Sequence, residues 1–143
     1  MSPRSRIGER LPGRSIDRVS VDAMKTMGRI LADPNPIHVD PAAAAAAGFG
    51  PRVVNQGPSN CGYLIDFLHE TFPTGRLRRF TASFLSIVFG DEAITLCGQV
   101  VDQDDDADRT LITCDVWIEG EDGRRAVQAT AIVEVDHPKG AHQ

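Results

Sequence analysis

Gly57-Pro58-Ser59-Asn60-Cys61-Gly62-Tyr63-Leu64-Ile65-Asp66-Phe67-Leu68-His69-Glu70-Thr71-Phe72-Pro73-Thr74-Gly75 is where the chain changes period, and the change decides its architecture. Gly57 breaks the apolar approach Pro51-Arg52-Val53-Val54-Asn55-Gln56, and Pro58 stands where a first helical residue needs no N–H. From Cys61 onward Leu64, Ile65, Leu68 and Phe72 recur at helical spacing, the stripe of a long buried helix. Phe72-Pro73-Thr74-Gly75 ends it. Beyond Gly75 the period becomes that of strands: one long run carrying Phe80, Ala82, Phe84 and Val88, a turn at Gly90-Asp91, then 93–101, 110–118 and 125–135. In the last of these Val127, Ala129, Ala131, Val133 and Val135 alternate with mostly polar residues, so one face is buried and the other meets solvent or another layer. Helical elements, one long apolar helix and four long strands joined by short turns predict an α+β fold, an antiparallel sheet wrapped around that helix.

Upstream, 15–20 alternates weakly as a first strand, and 21–31 reads as a helix with Met24, Met27 and Leu31 on one face. A six-alanine run at 42–47 is a short helix with Asp40 placed to cap it, Pro41 at its first position and Gly48 past its end. Its alanines read as close-packing spacers. Between these helices lies Asp33-Pro34-Asn35-Pro36-Ile37-His38. Each proline fixes its own φ and pushes the preceding residue out of the α region, so Asp33 and Asn35 are extended and the first helix must stop. A carboxylate and an imidazole held in one stiff turn are acid/base equipment. In isolation such a pair is more often a turn cap and a satisfied core histidine.

Composition bounds the remaining possibilities. At 143 residues this is one domain, 13–136, between a loose polar arm (1–12) and a frayed tail (137–143), and it is long enough to bury about 70% of its unfolded surface. Cys61, Cys97 and Cys114 are odd in number, lack CxxC spacing and sit in apolar stretches, so they read as buried thiols of a reducing compartment. With no signal-like apolar run and no membrane-length segment, the expected location is the cytoplasm. A net charge of −5 argues against a general nucleic-acid binder. Asp102, Asp104, Asp106 and Asp108 imitate the start of a calcium loop, but Ala107 and Thr113 stand where glycine and glutamate are required. No metal is expected.

The 33–38 run, with Val39 and Asp40 after it, resembles the Asp-x-Asn-Pro-x-His signature of the (R)-specific enoyl-thioester hydratases, the MaoC-like branch of the hotdog fold. The resemblance covers nearly the whole chain, including a Gly-Asp between strands at Gly90-Asp91 and a late Gly-rich hairpin at Asp122-Gly123. It is most specific in the 33–38 run, less so at Gly57 and least in the strands. It implies the hotdog architecture and hydration of 2-enoyl thioesters to 3-hydroxyacyl products, or the reverse dehydration, without metal or redox cofactor. It also makes Asp33 and His38 the catalytic residues, which outweighs the structural reading of the pair.

Hydration requires a proton taken from water, a proton delivered to Cα and stabilised charge on the thioester oxygen. Asp33 and His38 divide the first two tasks, a contribution worth about 10²–10⁴ in rate, with the formal base left open. For the third, a helix N-terminus offers unpaired N–H groups and a favourable dipole. Gly57 is the candidate donor, although it reads equally as a turn glycine. Where family members commonly show His-Gly-Met, this chain has Gln56-Gly57-Pro58, so a second donor falls to Ser59 or Asn60. Asn35 is grouped with Gly57 and Ser59 on the oxyanion and substrate side, its side-chain amide bracing the turn or the active-site loop. Some relatives carry a serine where this chain has Ile65, and hydratases of steroid side-chain breakdown show a comparable Val-Asn before the glycine. A bulky acyl group and pairing of two different hotdog chains are therefore open. Ser59 lacks a GxSxG elbow and Cys61 opens an apolar stripe, so neither is taken as a nucleophile, and His69 is placed on the exposed side. Arg76, Arg78 and Arg79 are the candidate contacts for coenzyme A phosphates, reading equally as a solvated strand start. Two alternatives remain: a hotdog thioesterase with its acid on the long helix, Asp66 or Glu70, and a non-catalytic partner subunit. In any case a homodimer or heterodimer is expected, because the sheet has an edge to protect.

Overall fold

The computed structural model describes residues 5–136, so the expected tail and the first four residues of the arm lie outside the described residues. Five strands, β1 (Arg14–Ile16), β2 (Arg76–Phe84), β3 (Ile94–Asp105), β4 (Arg109–Glu119) and β5 (Arg125–Asp136), form one antiparallel sheet in the order β1-β3-β4-β5-β2. Three α-helices precede β2: α1 (Val21–Ile30), α2 (Pro41–Ala46) and α3 (Gly57–Thr71). The register aligns Gly98, Val116 and Ala129 in one row, and Val100, Cys114 and Ala131 in the next. These inner faces are buried with Leu64, Phe67 and Leu68 of α3 in one core. Burying each large side chain there contributes about 1.5–3 kcal/mol. The sheet wrapped around a central helix is thus the architecture that the change of period predicts.

Several local expectations are corrected. Residues 6–11 are not a loose arm. Gly8 N–H donates to Val100 O (2.8 Å), Val100 N–H to Glu9 O (2.9 Å) and Leu11 N–H to Gly98 O (2.9 Å). Leu11 is buried because Gly98 leaves it room: a Cβ there would lie 2.7 Å from Leu11 Cδ1. One apolar residue has no period to read. The first strand is Arg14–Ile16 rather than 15–20, since Ser20 caps α1 by accepting the Ala23 N–H. On α1, Met24 is buried but Leu31 is exposed, as the helix stops at Ile30 and Leu31 turns outward. Strand β2 stops at Phe84, short of Val88, and β3 runs on through Asp105 rather than stopping at 101. Only the tip is a turn, where Asp106 accepts the N–H groups of Asp108 and Arg109. The cap on α2 is as expected: Asp40 Oδ1 accepts the Ala42 N–H at 3.0 Å.

An ion pair without sequence signal locks the segment between β2 and β3. Glu92, fully buried, is gripped by both Nη atoms of Arg124 at 2.9 Å and accepts the N–H groups of Phe89 and Glu121. Burial pushes the Glu92 carboxyl up, but the Arg124 guanidinium and the two backbone donors outweigh it and leave it below the usual carboxylate range. Arg124 also donates to Ile87 O at 2.6 Å. The segment so held presents Val88 O to the Asn55 N–H and the Gly90 N–H to Val53 O, each at 2.8 Å. The loop carrying Val53, Val54 and Asn55 is therefore fixed before it reaches the site.

Candidate active site

The acid/base turn is built by the end of α1. Asp33 N–H donates to Gly28 O and Ala32 N–H to Arg29 O, a Schellman ending that needs a left-handed residue, and Ala32 supplies it at φ +51°. A non-glycine residue there stores about 1 kcal/mol of strain beside the site. Asp33 Oδ1 then accepts the Asn35 N–H (3.1 Å), and Asn35 Oδ1 accepts the Ile37 N–H (3.2 Å), capping the single 3-10 turn Pro36–His38. Asn35 thus braces the turn, as expected, and leaves Asp33 Oδ2 free to face His38.

His38 is oriented from the far side. Its Nδ1 lies 2.6 Å from Val54 O, and a carbonyl only accepts, so Nδ1 carries the proton and Nε2 presents its lone pair. Nε2 is 3.3 Å from Asp33 Oδ2. Two bare acceptors at that distance repel, so the pair is built to share a proton or to receive the two O–H groups of one water. The His38 side chain is 12% exposed and that of Asp33 35%, so the imidazole is sheltered while the carboxylate borders solvent.

Gly57 opens α3 three residues beyond Val54. Gln56 is its N-cap but makes no capping bond, and Pro58 has no N–H, so the amides of Gly57 and Ser59 have no partner among the described residues. These two donors share a helix end with a favourable dipole. The Asn60 N–H is spent on Gln56 O. A Cβ on Gly57 would sit 3.2 Å from Cζ of Phe84, so the ring of Phe84 lies over this backbone.

The other expected residues lie elsewhere. Arg76 heads β2, eight residues and so about 26 Å along the strand from Phe84. It bonds Glu134 and Asp136, and Arg78 stands 3.7 Å from Glu134. Of the trio only Arg79 has no partner among the described residues. Asp66 and Glu70 each lie 2.8 Å from Arg14 Nη1, tying α3 to β1. Burial raises the pKa of the half-buried Cys61, which keeps it a thiol, and His69 is exposed. The residues that sequence reasoning missed are Val54, whose carbonyl sets the histidine tautomer, and Phe84, read only as a strand residue.

A family model described as the MaoC like domain matches residues 5–120. Among solved structures, an (R)-hydratase from A. caviae involved in PHA biosynthesis is 24% identical, over 89% of this chain and 94% of that one, with a TM-score of 0.79. A MaoC-like dehydratase from Rhodospirillum rubrum is 21% identical over 92% and 93%, with a TM-score of 0.80. The ChsH1-ChsH2 complex from Mycobacterium tuberculosis is 18% identical over 90% and 97%, with a TM-score of 0.77. No curated protein matches the chain. No helix among the described residues is long and apolar enough to cross a membrane. A match spanning most of the chain, on a sheet wrapped around α3, places it in the MaoC-like dehydratase family with the hotdog fold.

Proposed function

We propose that the chain hydrates 2-enoyl thioesters, with (R) stereochemistry at the new hydroxyl, or runs the reverse dehydration. The observation that carries this is the Asp33 Oδ2 to His38 Nε2 approach of 3.3 Å, with Nδ1 pinned by Val54 O. Water held between these atoms gives one proton to the pair as its oxygen bonds to the β carbon. The developing thioester oxyanion is met by the Gly57 N–H, with Ser59 N–H beside it, and the pair returns a proton to Cα. Loss of enoyl absorbance on adding but-2-enoyl-CoA, without release of free thiol, is the expected result. Thiol release instead would install the thioesterase reading, which the engagement of Asp66 and Glu70 with Arg14 disfavours.

The acyl carrier is coenzyme A in this reading, with Arg79 the member of its trio left for phosphate. A second chain is also part of it. Among the described residues strand β2 is a sheet edge with one side unpaired, and Phe84 and Leu85 at its end are 56% and 59% exposed. Antiparallel pairing of two such edges would cover them. The ChsH1-ChsH2 likeness extends the choice of partner to a different hotdog chain.

A further inference from the structure

One buried side-chain amide links the two halves of the candidate site. Gln56 is 1% exposed and directly precedes Gly57, yet as N-cap of α3 it makes no capping bond. Its Nε2 donates to Met24 O of α1 at 2.8 Å, and its Oε1 lies 3.5 Å from Ser59 Oγ. A carbonyl only accepts, so the NH2 faces α1 and the oxygen faces α3. A buried amide has to find such partners, and a helix carbonyl has a second lone pair to give it. The bond therefore joins α1 to Gly57 and Ser59, the two residues whose amides have no partner among the described residues.

Close packing does not hold these parts at a set distance, because a cavity of ≈ 320 Å3, lined by Met24 and Met27 on one side and by Pro58 and Gly62 on the other, lies between the helices. Tyr63 is hydrogen-bonded to the Ser20 backbone, but that tie is at the start of α1, the end away from Asp33. One helical turn beyond Met24 stands Gly28, whose O holds the Asp33 N–H at 3.0 Å. The Gln56 Nε2 passes this face of the helix, 3.7 Å from where a Gly28 Cβ would be. Gln56 thus reaches to within a turn of the carbonyl that anchors Asp33, while a single peptide bond separates it from the Gly57 N–H. In a hydration the water oxygen attacks the β carbon while charge appears on the thioester oxygen, and the carbons between them are a short, fixed frame. The groups that serve its two ends must keep register within about 0.5 Å, and a misplacement of about 1 Å costs about 10²-fold in rate.

We propose that Gln56 is a positioning residue, a strut whose reach sets the distance between the Asp33–His38 pair and the Gly57 amide; it rests on the hydratase reading for the reaction it serves. Two variants test it. Gln56→Met keeps the length but has no donor. Gln56→Asn keeps the amide but is one methylene shorter than the span, and Asn is among the best N-cap residues, so α3 keeps its start. Each should lower kcat for but-2-enoyl-CoA about tenfold or more, while calorimetric binding of butanoyl-CoA, which cannot be hydrated, stays within about threefold. The melting curve of Gln56→Asn should stay at the wild-type position. Amide hydrogen exchange reads the strut without turnover. In Gln56→Met the Asp33 and Asn60 N–H groups, held by Gly28 O and Gln56 O on either side of it, should exchange about tenfold faster or more, with Val116 in β4 unchanged. Affinity or melting temperature falling in step with kcat in both variants would make Gln56 a structural residue, and wild-type kcat in Gln56→Asn would make its reach irrelevant; either overturns the proposal, as does unchanged exchange at Asp33 and Asn60. If exchange quickens while wild type hydrates no enoyl thioester, the strut stands and the hydratase reading falls.

Discussion

Asp33→Asn is the substitution that separates chemistry from structure at this site. Asn keeps the shape, and its Oδ1 still accepts the Asn35 N–H that holds the turn. What changes is the atom facing His38. An amide NH2 there donates to Nε2, occupying the lone pair that would receive the water proton and removing the charge that stabilises the imidazolium. At 3.3 Å and an effective dielectric of 20, that charge is worth about 5 kcal/mol. With the carboxylate 35% exposed, solvent screening reduces this to about 3 kcal/mol, or two powers of ten in rate. The assay is hydration of but-2-enoyl-CoA followed by enoyl absorbance, alongside a thermal melt. A rate lower by about 10² or more with an unchanged melting curve is expected, and likewise for His38→Ala. The double variant should be little slower than the slower single one, because both groups serve the same water. Wild-type hydration by both single variants on a confirmed substrate would make the turn structural and refute the reasoning.

Gly57→Val should lower turnover about tenfold or more and impair it more than stability, because its side chain presses on the ring of Phe84 and crowds the free amide. Full activity in that variant would move the oxyanion site elsewhere. Sedimentation at micromolar concentration should show at least a dimer, and a fully active monomer would remove the paired-edge reading of β2. Glu92→Gln should destabilise by about 3 kcal/mol, the low end for a broken buried pair since Arg124 keeps Asp122. Because the Glu92 pKa is depressed in the folded state, its contribution is fully present above the unfolded value near 4.3 and lost as pH falls through the folded value. Melting temperature should therefore fall on acidification more steeply in wild type than in Glu92→Gln, and parallel curves would show that Glu92 is not coupled to folding.

What could be read in the sequence was local punctuation and period. The prolines around Asn35 announce a stiff turn, and the turn is there with both side chains facing each other. Asp40 and Pro41 announce a capped helix start, and alternation along β5 announces the sheet. What could not be read is contact between segments that carry no period. Leu11 lies on Gly98 because of a missing Cβ, and Glu92 finds Arg124 across a hairpin in which each looks like an ordinary surface charge. The Arg76, Arg78 and Arg79 cluster shows the converse: three cations within four residues are conspicuous in sequence, while Glu134 and Asp136, the carboxylates that engage Arg76, lie far along the chain.

The division between legible and hidden follows how the site is assembled. The 33–38 turn carries the proposed acid/base pair, but its own hydrogen bonds settle only the carboxylate. The imidazole is set by Val54 O, sixteen residues on, and the loop of Val54 is held in turn by Val88 and Gly90 on the segment that Glu92 and Arg124 clamp. A short motif can therefore name the proposed catalytic pair while the histidine tautomer depends on a buried ion pair far along the chain. By this argument a loosened clamp would reach catalysis through the histidine, leaving Asp33 and its hydrogen bond from Asn35 in place.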